Sequence, residues 1–418
     1  MQIFKFGGAS VSSAPSIKNA AGIIRMFPGP KVVVISAMGK TTNALEELVK
    51  AYFKGDQGKT DILGKIRQYH DDIMLQLANG QQVDYSSVDH LFCTLEDRLN
   101  TPPSMNFDYE YDQIVSYGEL VSTAIISSFY NSIGLTNQWI DIRKSLITDD
   151  TYRDANINWP LSEKQVKKTF DSATHELIIT QGFLGGTTTN HTTTLGREGS
   201  DYTAAILANI LDAQDVTIWK NVPGILNADP DFLPATQKLD ELSYREAIEL
   251  SYSGAKVIHP KTIKPLQNKH IPLLVKSFDD PEKEGTIIHN VDHLLDLVPV
   301  FINKEYQALI TLTPADFSFI SIYTVSDVFS LFARYRLRVS LIQQSALNLS
   351  MAFDEPEQGV DELITELRRS FEVRYNTGLE LVTIRYYNQE AIDRIANGHQ
   401  IYIEQKTRRT ARLLFKRS

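Results

Sequence analysis

Short apolar segments alternate with amphipathic segments through roughly the first two thirds of the chain, and this alternation restricts the fold most strongly. The apolar segments have the length and composition of buried strands: 3–6, 32–38, 138–142, 177–183, 216–219 and 272–276. The amphipathic segments repeat apolar residues at helical spacing: 17–26, 43–53, 113–130, 163–173, 201–211, 244–251 and 259–267. This order predicts an α/β fold with a doubly wound, largely parallel sheet. Residues 60–112 interrupt the alternation with a predicted helical insertion.

The pattern changes near Pro299, and a second kind of unit follows. Its predicted elements are strand 307–312, helix 325–335, strands 339–343 and 348–353, helix 359–369 and strand 379–385. This β-α-β-β-α-β order is that of a ferredoxin-like unit. A short helix and a hairpin then predict a second such unit that stops early. The predicted domains are therefore 1–295, 299–385 and the truncated 386–418.

Composition excludes several classes of protein. Of 418 residues, 42% are hydrophobic and 22% are charged, which is enough for a large core and argues against general disorder. No apolar run approaches the roughly 18 residues of a membrane-spanning helix, and the N-terminus lacks the pattern of a secretory signal. The single cysteine, Cys93, cannot form an internal disulfide. We therefore expect a cytoplasmic protein that does not act at a membrane.

The net charge of −9 argues against nucleic acid as the main partner, because phosphate backbones require clustered basic residues. The C-terminal residues 404–418 differ from the rest: six are basic and one is acidic, a local charge of +5. This segment is either a solvated strand pair with a charged face or a site for an anion or a partner. We favour the first interpretation.

The first predicted strand runs into Lys5-Phe6-Gly7-Gly8 and then into a helical pattern. Paired glycines let the backbone approach a phosphate at a helix N-terminus, and Lys5 would add a compact positive charge. An ordinary glycine-rich turn with a solvated lysine explains this segment alone equally well. Neither Gly-Lys-Thr triplet of the chain has the glycine that a Walker A motif requires five positions earlier, so that motif is excluded.

Two further segments carry charged residues at predicted helix starts. In Thr194–Tyr202, Ser200 or Asp201 can cap the following helix, and Arg197 can bind a carboxylate in bidentate fashion. Asp201 could instead orient Lys5 or carry magnesium. In Ser116-Tyr-Gly-Glu119, the carboxylate could receive a substrate ammonium group, although a surface glutamate is the more common meaning of this pattern alone.

Six segments carry motifs that are moderately specific singly and strong in combination. They are IFKFGGAS at 3–10, VVVISAMGKTTNALEEL at 32–48, SYGE at 116–119, TQGFLG at 180–185, TLGREGSDYTAA at 194–205 and SYSGAKVIHPKT at 251–262. In this order and spacing they resemble the aspartate kinases of the amino-acid kinase superfamily. The resemblance is close to about residue 290 and looser beyond it.

The resemblance implies a reaction in which ATP, with Mg2+, phosphorylates L-aspartate to 4-phospho-L-aspartate, the first step toward lysine, threonine and methionine. It assigns catalysis to Lys5, Gly7, Gly8 and Asp201. It assigns L-aspartate binding to Ser36, Thr42, Glu119, Phe183, Arg197 and Ser200. It assigns nucleotide contacts to Lys5, Phe6, Gly7, Gly8, Gly224, Asp229, Lys256 and Val257. It assigns no metal ligand.

Departures from the family pattern leave alternatives open. Ala9 stands where threonine is usual, Glu198 replaces a glycine, and residues 220–231 differ from the usual nucleotide segment. A non-catalytic amino-acid sensor and a sibling acyl-phosphate kinase are therefore the alternatives. Residues 299–385 resemble an ACT domain, which implies a homodimer or larger assembly and an effector such as lysine or threonine. A dimerisation module without an effector is the alternative there.

Overall fold

The structure, a computed structural model, describes residues 1–171, 173–255, 258–291, 298–355 and 359–416. These residues form two compact units. The first contains Met1–Ile225, Lys238–Ile248 and the described residues from 258 to 291, and the second contains Leu226–Gln237, Glu249–Ala255 and the described residues from 298 onward. The predicted domain boundary at 295–299 falls largely on residues outside the described ranges. Within those ranges, no helix combines the length and the apolar character needed to cross a membrane.

Twelve strands lie among the described residues before residue 290. They are β1 (Gln2–Phe6), β2 (Lys31–Ile35), β3 (Gln138–Ile140), β4 (Leu177–Gln181), β5 (Leu184–Gly186), β6 (Thr192–Thr194), β7 (Val216–Lys220), β8 (Ile225–Leu226), β9 (Lys238–Leu239), β10 (Glu241–Ser243), β11 (Leu273–Ser277) and β12 (Thr286–His289). Eight of them form one sheet in the order β10-β12-β11-β7-β1-β2-β4-β3. Only the β11–β12 pair is antiparallel.

The helices of the same part connect these strands. They are α1 (Ala14–Met26), α2 (Thr41–Phe53), α3 (Lys59–Ala78), α4 (Ser86–Asn100), α5 (Phe107–Val115), α6 (Tyr117–Ser132), α7 (Trp159–Asp171), α8 (Gly199–Ile210), α9 (Tyr244–Ser253) and α10 (Pro260–Asn268). Short 3-10 helices cover Gly8–Val11 and Ile142–Lys144. The predicted α/β fold with a largely parallel sheet is confirmed. Helices α3, α4 and α5 occupy the place of the predicted insertion.

The centre of this sheet is apolar on both faces, as parallel sheets require. All five residues of β2 are buried, which explains why the four after Lys31 are a continuous run of Val and Ile rather than an alternation. Phe6 of β1 lies opposite Trp219 of β7, and their rings stack with centroids 6.2 Å apart. Lys5 lies on the same strand as Phe6, one residue before the carboxyl end of β1.

The second unit contains the antiparallel strands β13 (Val300–Pro314), β14 (Val339–Gln344), β15 (Leu349–Asp354), β16 (Phe371–Arg385), β17 (Gln400–Lys406) and β18 (Thr410–Lys416). Its helices are α11 (Ile322–Arg334), α12 (Val360–Leu367) and α13 (Gln389–Ala396). The strands form one sheet in the order β14-β15-β13-β16-β18-β17. The order β13-α11-β14-β15-α12-β16 confirms the ferredoxin-like prediction.

Strands β13 and β16 pass through two separate hydrophobic cores. Residues 307–314 of β13 pair with 371–379 of β16, while 300–304 pair with 381–385. The first part packs against α11 and α12, and the second part packs against α13. The register shifts where the two parts meet, between Lys304 and Leu309. The C-terminal segment that looks truncated in the sequence thus takes a strand from the chain upstream of the ferredoxin-like unit.

Candidate active site

The candidate site lies where three adjacent parallel strands end. β1, β2 and β4 are neighbours in the sheet, so their carboxyl ends and the loops that follow them share one edge. Ligands of open α/β sheets bind at this edge. The loops begin with Gly7, Ser36 and Gly182, so the first of them carries the predicted phosphate turn.

Lys5 and Asp201 form a buried ion pair at this edge. The Lys5 Nζ lies 2.6 Å from Asp201 Oδ1, and the side chains are only 11% and 5% exposed. Asp201 is in the first turn of α8, where the helix dipole favours a negative charge. An ammonium group has three N–H donors, so one carboxylate fixes its position and leaves donors for another anion.

The paired glycines let the main chain after β1 approach the main chain of the loop after β2. A Cβ on Gly8 would lie 2.7 Å from the carbonyl oxygen of Ala37, so only glycine fits. The N–H of Gly39 donates to the carbonyl of Gly8 at 3.0 Å. Gly7 precedes the 3-10 helix Gly8–Val11, and its carbonyl accepts from the N–H of Ser10. The turn after β1 is thus held against the loop after β2.

Glu119 is buried rather than exposed. It lies in the first turn of α6 and is 3% exposed. Its Oε1 accepts a hydrogen bond from the N–H of Ala37 at 3.1 Å, while Oε2 has no hydrogen-bond partner among the described residues. Burial raises the pKa of Glu119 to about 8, against the opposing effects of that hydrogen bond and of the charge on Lys5. A buried carboxylate with one free oxygen can accept a cationic donor.

Two predicted substrate residues flank these groups on the β2 side. Ser36 follows β2 directly; its N–H donates to the carbonyl of Phe6 at 3.2 Å, and its carbonyl accepts from the hydroxyl of Ser122. Its backbone is therefore fixed, while its side chain remains partly exposed. Thr42 lies in the first turn of α2 and is also partly exposed. Both side chains are accessible from solvent.

The other predicted substrate residues lie on the segment from β4 to α8. Phe183 has a left-handed backbone (φ 68°), and its N–H donates to Thr203 Oγ1 at 3.0 Å. Ser200, in the first turn of α8, lies against Gly182, where any Cβ would collide with the serine side chain. Arg197 is exposed, just before the helix, and forms no ion pair within the described part of the chain. It is therefore available to a ligand carboxylate.

The predicted nucleotide residues are less clustered. The Phe6 side chain is in the core, so only its backbone could reach a ligand. Gly224 is buried with φ +151°, and a Cβ there would lie 2.5 Å from Thr286 Oγ1. Asp229 is exposed, belongs to the second unit, and accepts the N–H of Asp231 at 3.0 Å. Lys256 and Val257 lie outside the described residues.

Glu198 has a local structural role that the sequence did not reveal. It precedes α8 with a left-handed backbone (φ 55°), a conformation that glycine adopts more easily. Its Oε2 accepts the N–H of His259 at 2.8 Å, next to the first turn of α10. This bond places the negative charge at a helix N-terminus, where it is stabilised.

Asp112 and Gln113 hold in place a strand that leads to the site. The sequence analysis did not identify Asp112. Its carboxylate is fully buried and accepts three bonds: from the N–H and hydroxyl of Thr194, and from the N–H of Arg153. Burial outweighs these bonds and raises the pKa of Asp112 to about 6. The side-chain amide of Gln113 donates a hydrogen bond to the carbonyl of Thr192 and accepts one from its N–H. Helix α5 of the insertion thus holds β6, the strand that leads to Arg197.

Known proteins share both the sequence and this architecture. The sequence model of the Amino acid kinase family matches residues 1–277. The lysine-sensitive aspartokinase 3 of Escherichia coli (strain K12) is 32% identical over 400 residues, which are 91% of this chain and 86% of that protein. The chain therefore belongs to the amino acid kinase family and, within it, to the aspartokinases.

Two crystal structures of E. coli aspartokinase III are similar over nearly the whole chain. The complex with lysine and aspartate (T-state) has a TM-score of 0.80 and 28% identity, covering 99% of this chain and 95% of that one. The complex with aspartate and ADP (R-state) has a TM-score of 0.81 and 27% identity, covering 100% and 96%. The resemblance inferred from the six motifs is confirmed.

Proposed function

We propose that the protein transfers the γ-phosphoryl group of ATP to the side-chain carboxylate of L-aspartate, forming 4-phospho-L-aspartate, the first step toward lysine, threonine and methionine. The Lys5–Asp201 pair beside the glycine turn carries this proposal. A carboxylate is already a nucleophile, so the reaction needs no general base. Catalysis then consists of positioning the reactants and neutralising charge.

In the proposed mechanism, Lys5 neutralises charge that develops on the transferring phosphoryl group. Asp201 holds the ammonium group of Lys5 in place, and the N–H groups of Gly7 and Gly8 donate to phosphate oxygens. The short turn after β1 and the buried ion pair support these roles, because both are fixed before substrate binds. Preorganised donors lower the barrier without reorganisation during the reaction.

The proposed aspartate site places opposite charges on the two ends of the substrate. Glu119 receives the ammonium group, and Arg197 binds the α-carboxylate. The free, buried Oε2 of Glu119 and the exposed guanidinium of Arg197 support this arrangement. Ser36, Thr42, Ser200 and the backbone of Phe183 complete the proposed site.

ATP is the proposed phosphoryl donor, and Gly224, Asp229, Lys256 and Val257 remain proposed nucleotide contacts. Mg2+ is proposed to accompany ATP and to neutralise phosphate charge. Among the described residues, no three His, Cys, Asp or Glu side chains are grouped to hold a metal ion. This fits magnesium, which commonly binds substrate phosphates with one or two protein carboxylates. Asp201 is the residue proposed to reach it.

Hydroxylamine trapping tests the activity directly. With ATP, magnesium and L-aspartate, the purified chain should form aspartyl hydroxamate, because hydroxylamine captures the acyl phosphate. Glutamate in place of aspartate is the control, and hydroxamate from glutamate alone would identify a sibling amino-acid kinase. No hydroxamate with any amino acid, together with measurable aspartate binding, would identify a sensor instead.

Glu119 should make aspartate binding depend on pH. Its pKa is raised to about 8, so the free protein holds a proton that must leave before the carboxylate pairs with an ammonium group. Affinity should therefore rise with pH, by roughly 20-fold between about pH 6.5 and 8.5 for one ionisation near 8. The Kd for L-aspartate, measured by calorimetry, checks this. A Glu119→Gln variant should bind weakly at every pH; an unchanged pH dependence in that variant would refute the assignment.

The second unit is proposed to mediate assembly and regulation. Large apolar side chains are exposed between β13 and α11 and in the first turn of α11: Phe317, Phe319, Ile322 and Tyr323. Exposed apolar groups of this kind mark contact surfaces. We propose that they pair with a second copy, giving a homodimer or a larger assembly with lysine or threonine as effector. Sedimentation and titration of both amino acids against activity test this; a monomer that neither amino acid inhibits would contradict it.

We propose the domain division 1–295, 299–385 and 386–418, the last completed by the strand at 300–304. A cytoplasmic location is proposed as well. The exposed, unpaired thiol of Cys93 supports it, because free surface thiols persist in reducing compartments.

A further inference from the structure

The second unit contains a small pocket, partly open to solvent, that is lined by three basic residues. Lys304 comes from β13, Arg412 from β18, and Arg338 lies just before β14. Arg412 belongs to the basic C-terminal segment that the proposed function leaves unexplained. The remaining polar lining includes the hydroxyl groups of Ser253, Ser340 and Thr383.

The strand register puts these groups on one face of the sheet. Lys304 is paired with Leu381, and Thr383 is paired with Arg412. Leu381 and Thr383 are two residues apart on β16, so their side chains share a face. Lys304, Thr383 and Arg412 therefore lie side by side on three adjacent strands.

The positive charges in the pocket are not neutralised by neighbouring acids. Across the described ranges, none of the three basic residues forms an ion pair, although Asp354 is near enough to favour the charged form of Lys304. Burial is the main cause that lowers the pKa of Lys304; the charge of Asp354 opposes this effect, and the smaller effects of Arg338 and Arg412 add to it. The charges of Arg338 and Arg412 thus disfavour the charge on Lys304.

The structure holds Lys304 and Arg338 in place despite this repulsion. A Cβ on Gly254 would lie 2.7 Å from Lys304 Cε, so the lysine stem runs across a position that only glycine leaves open. The Lys304 Nζ donates to Ser340 Oγ at 3.2 Å. The guanidinium of Arg338 lies over the ring of Tyr252 at 5.3 Å from its centre. These contacts order the cations without neutralising them.

Two hydroxyl groups of the lining add further hydrogen-bond donors. Ser253 and Thr383 are only 7% and 2% exposed, and neither side chain has a hydrogen-bond partner among the residues that the structure describes. A ligand rich in acceptors would satisfy both of them together with the three cations.

We propose that this pocket binds a phosphate group, either as inorganic phosphate or as the terminal group of a small phosphate monoester. A doubly charged oxyanion matches three cations and two hydroxyl donors. A free amino acid matches poorly, because its ammonium group would meet three positive charges and no carboxylate within the pocket lining. The site is thus different in kind from a site for an amino-acid effector.

Calorimetric titration of the full chain with inorganic phosphate tests this proposal. The titration uses a Lys5→Met background, which removes the proposed phosphate-binding lysine of the kinase unit, at constant ionic strength with chloride as reference. Phosphate should bind, whereas chloride should not. Arg412→Gln and Thr383→Val should each weaken binding, the first by about tenfold or more. Arg408→Gln, an exposed arginine of the same segment, is the matched control and should bind normally.

Two further measurements test phosphate binding at this pocket. Arg412→Gln should not lower the Tm without phosphate, since it removes one of three like charges, so lost binding cannot be attributed to unfolding. Glycerol 3-phosphate, titrated in parallel, distinguishes the sources: tighter binding than inorganic phosphate indicates a monoester, and weaker binding indicates the free ion. Absence of binding, or equal loss in the Arg408→Gln control, would overturn the proposal.

Discussion

A Lys5→Met variant is expected to lose about 100- to 1000-fold in kcat, by analogy with the removal of other preorganised oxyanion donors. Methionine keeps much of the volume of the lysine side chain but provides no charge and no N–H donor. The KM for L-aspartate should change much less, because Lys5 is proposed to act on the phosphoryl group. Initial rates from a coupled ADP assay measure both quantities. Lys18→Met, at an exposed position of α1, is the control and should be fully active.

The stability of these variants separates catalysis from folding. Loss of Lys5 leaves Asp201 buried without its partner, and breaking such a pair costs about 3–5 kcal/mol. The double variant Lys5→Met/Asp201→Asn should recover much of that stability, since no unpaired charge remains, but it should recover no activity. If the double variant regains both stability and turnover, the ion pair is structural and the mechanism proposed here is wrong.

Arg197→Gln is expected to raise the KM for L-aspartate by about 10- to 150-fold, the range for losing charge-assisted hydrogen bonds to a carboxylate. Because Arg197 is exposed and forms no ion pair in the described structure, its removal should leave the free energy of unfolding nearly unchanged. The KM for ATP should also stay constant. Initial rates at varied aspartate and fixed ATP provide the measurement.

A matched surface variant controls for general effects of charge. Arg245→Gln removes an exposed arginine at the start of α9 and should behave as the parent chain does. An Arg197→Gln variant with unchanged KM for aspartate would exclude the proposed carboxylate contact. A decrease in kcat alone would instead indicate that Arg197 interacts with the transferring phosphoryl group rather than with aspartate.

The order of strands and helices was largely predictable, because the periodicity of hydrophobic residues within a short segment indicates whether that segment is a strand or a helix. The central strands are rich in apolar residues, and β2 shows why: all five of its residues are buried. The β-α-β-β-α-β order was predictable for the same reason. The pairing of 300–304 with 381–385 was not predictable, because it joins segments about 80 residues apart in the sequence. The pattern within one segment does not indicate which distant strand pairs with it.

The site residues were predictable where they belong to contiguous motifs. They were less predictable where a role depends on whether the side chain is buried. The pairing of Lys5 with Asp201 was one of three roles inferred for that aspartate, and the structure shows the ion pair. The burial of Glu119 was not predicted from its own segment, which read as a surface position. Helix α6 contains no charged residue besides Glu119, and a helix without a charged face is typically buried all round. That pattern could have indicated a buried carboxylate.

The role of Glu198 could not have been read from its motif. Its carboxylate bonds the N–H of His259, 61 residues later. Sequence comparison shows only that a glycine is missing, whereas the structure shows where the added charge is stabilised.

The shared strands of the second unit have a consequence for how this part of the chain unfolds. β13 and β16 contribute to both hydrophobic cores, and the long pairing between them continues from one core to the other. Neither core can lose its strands while the other keeps them. The two ferredoxin-like halves therefore constitute a single cooperative unit, and denaturation should pass through one transition rather than two.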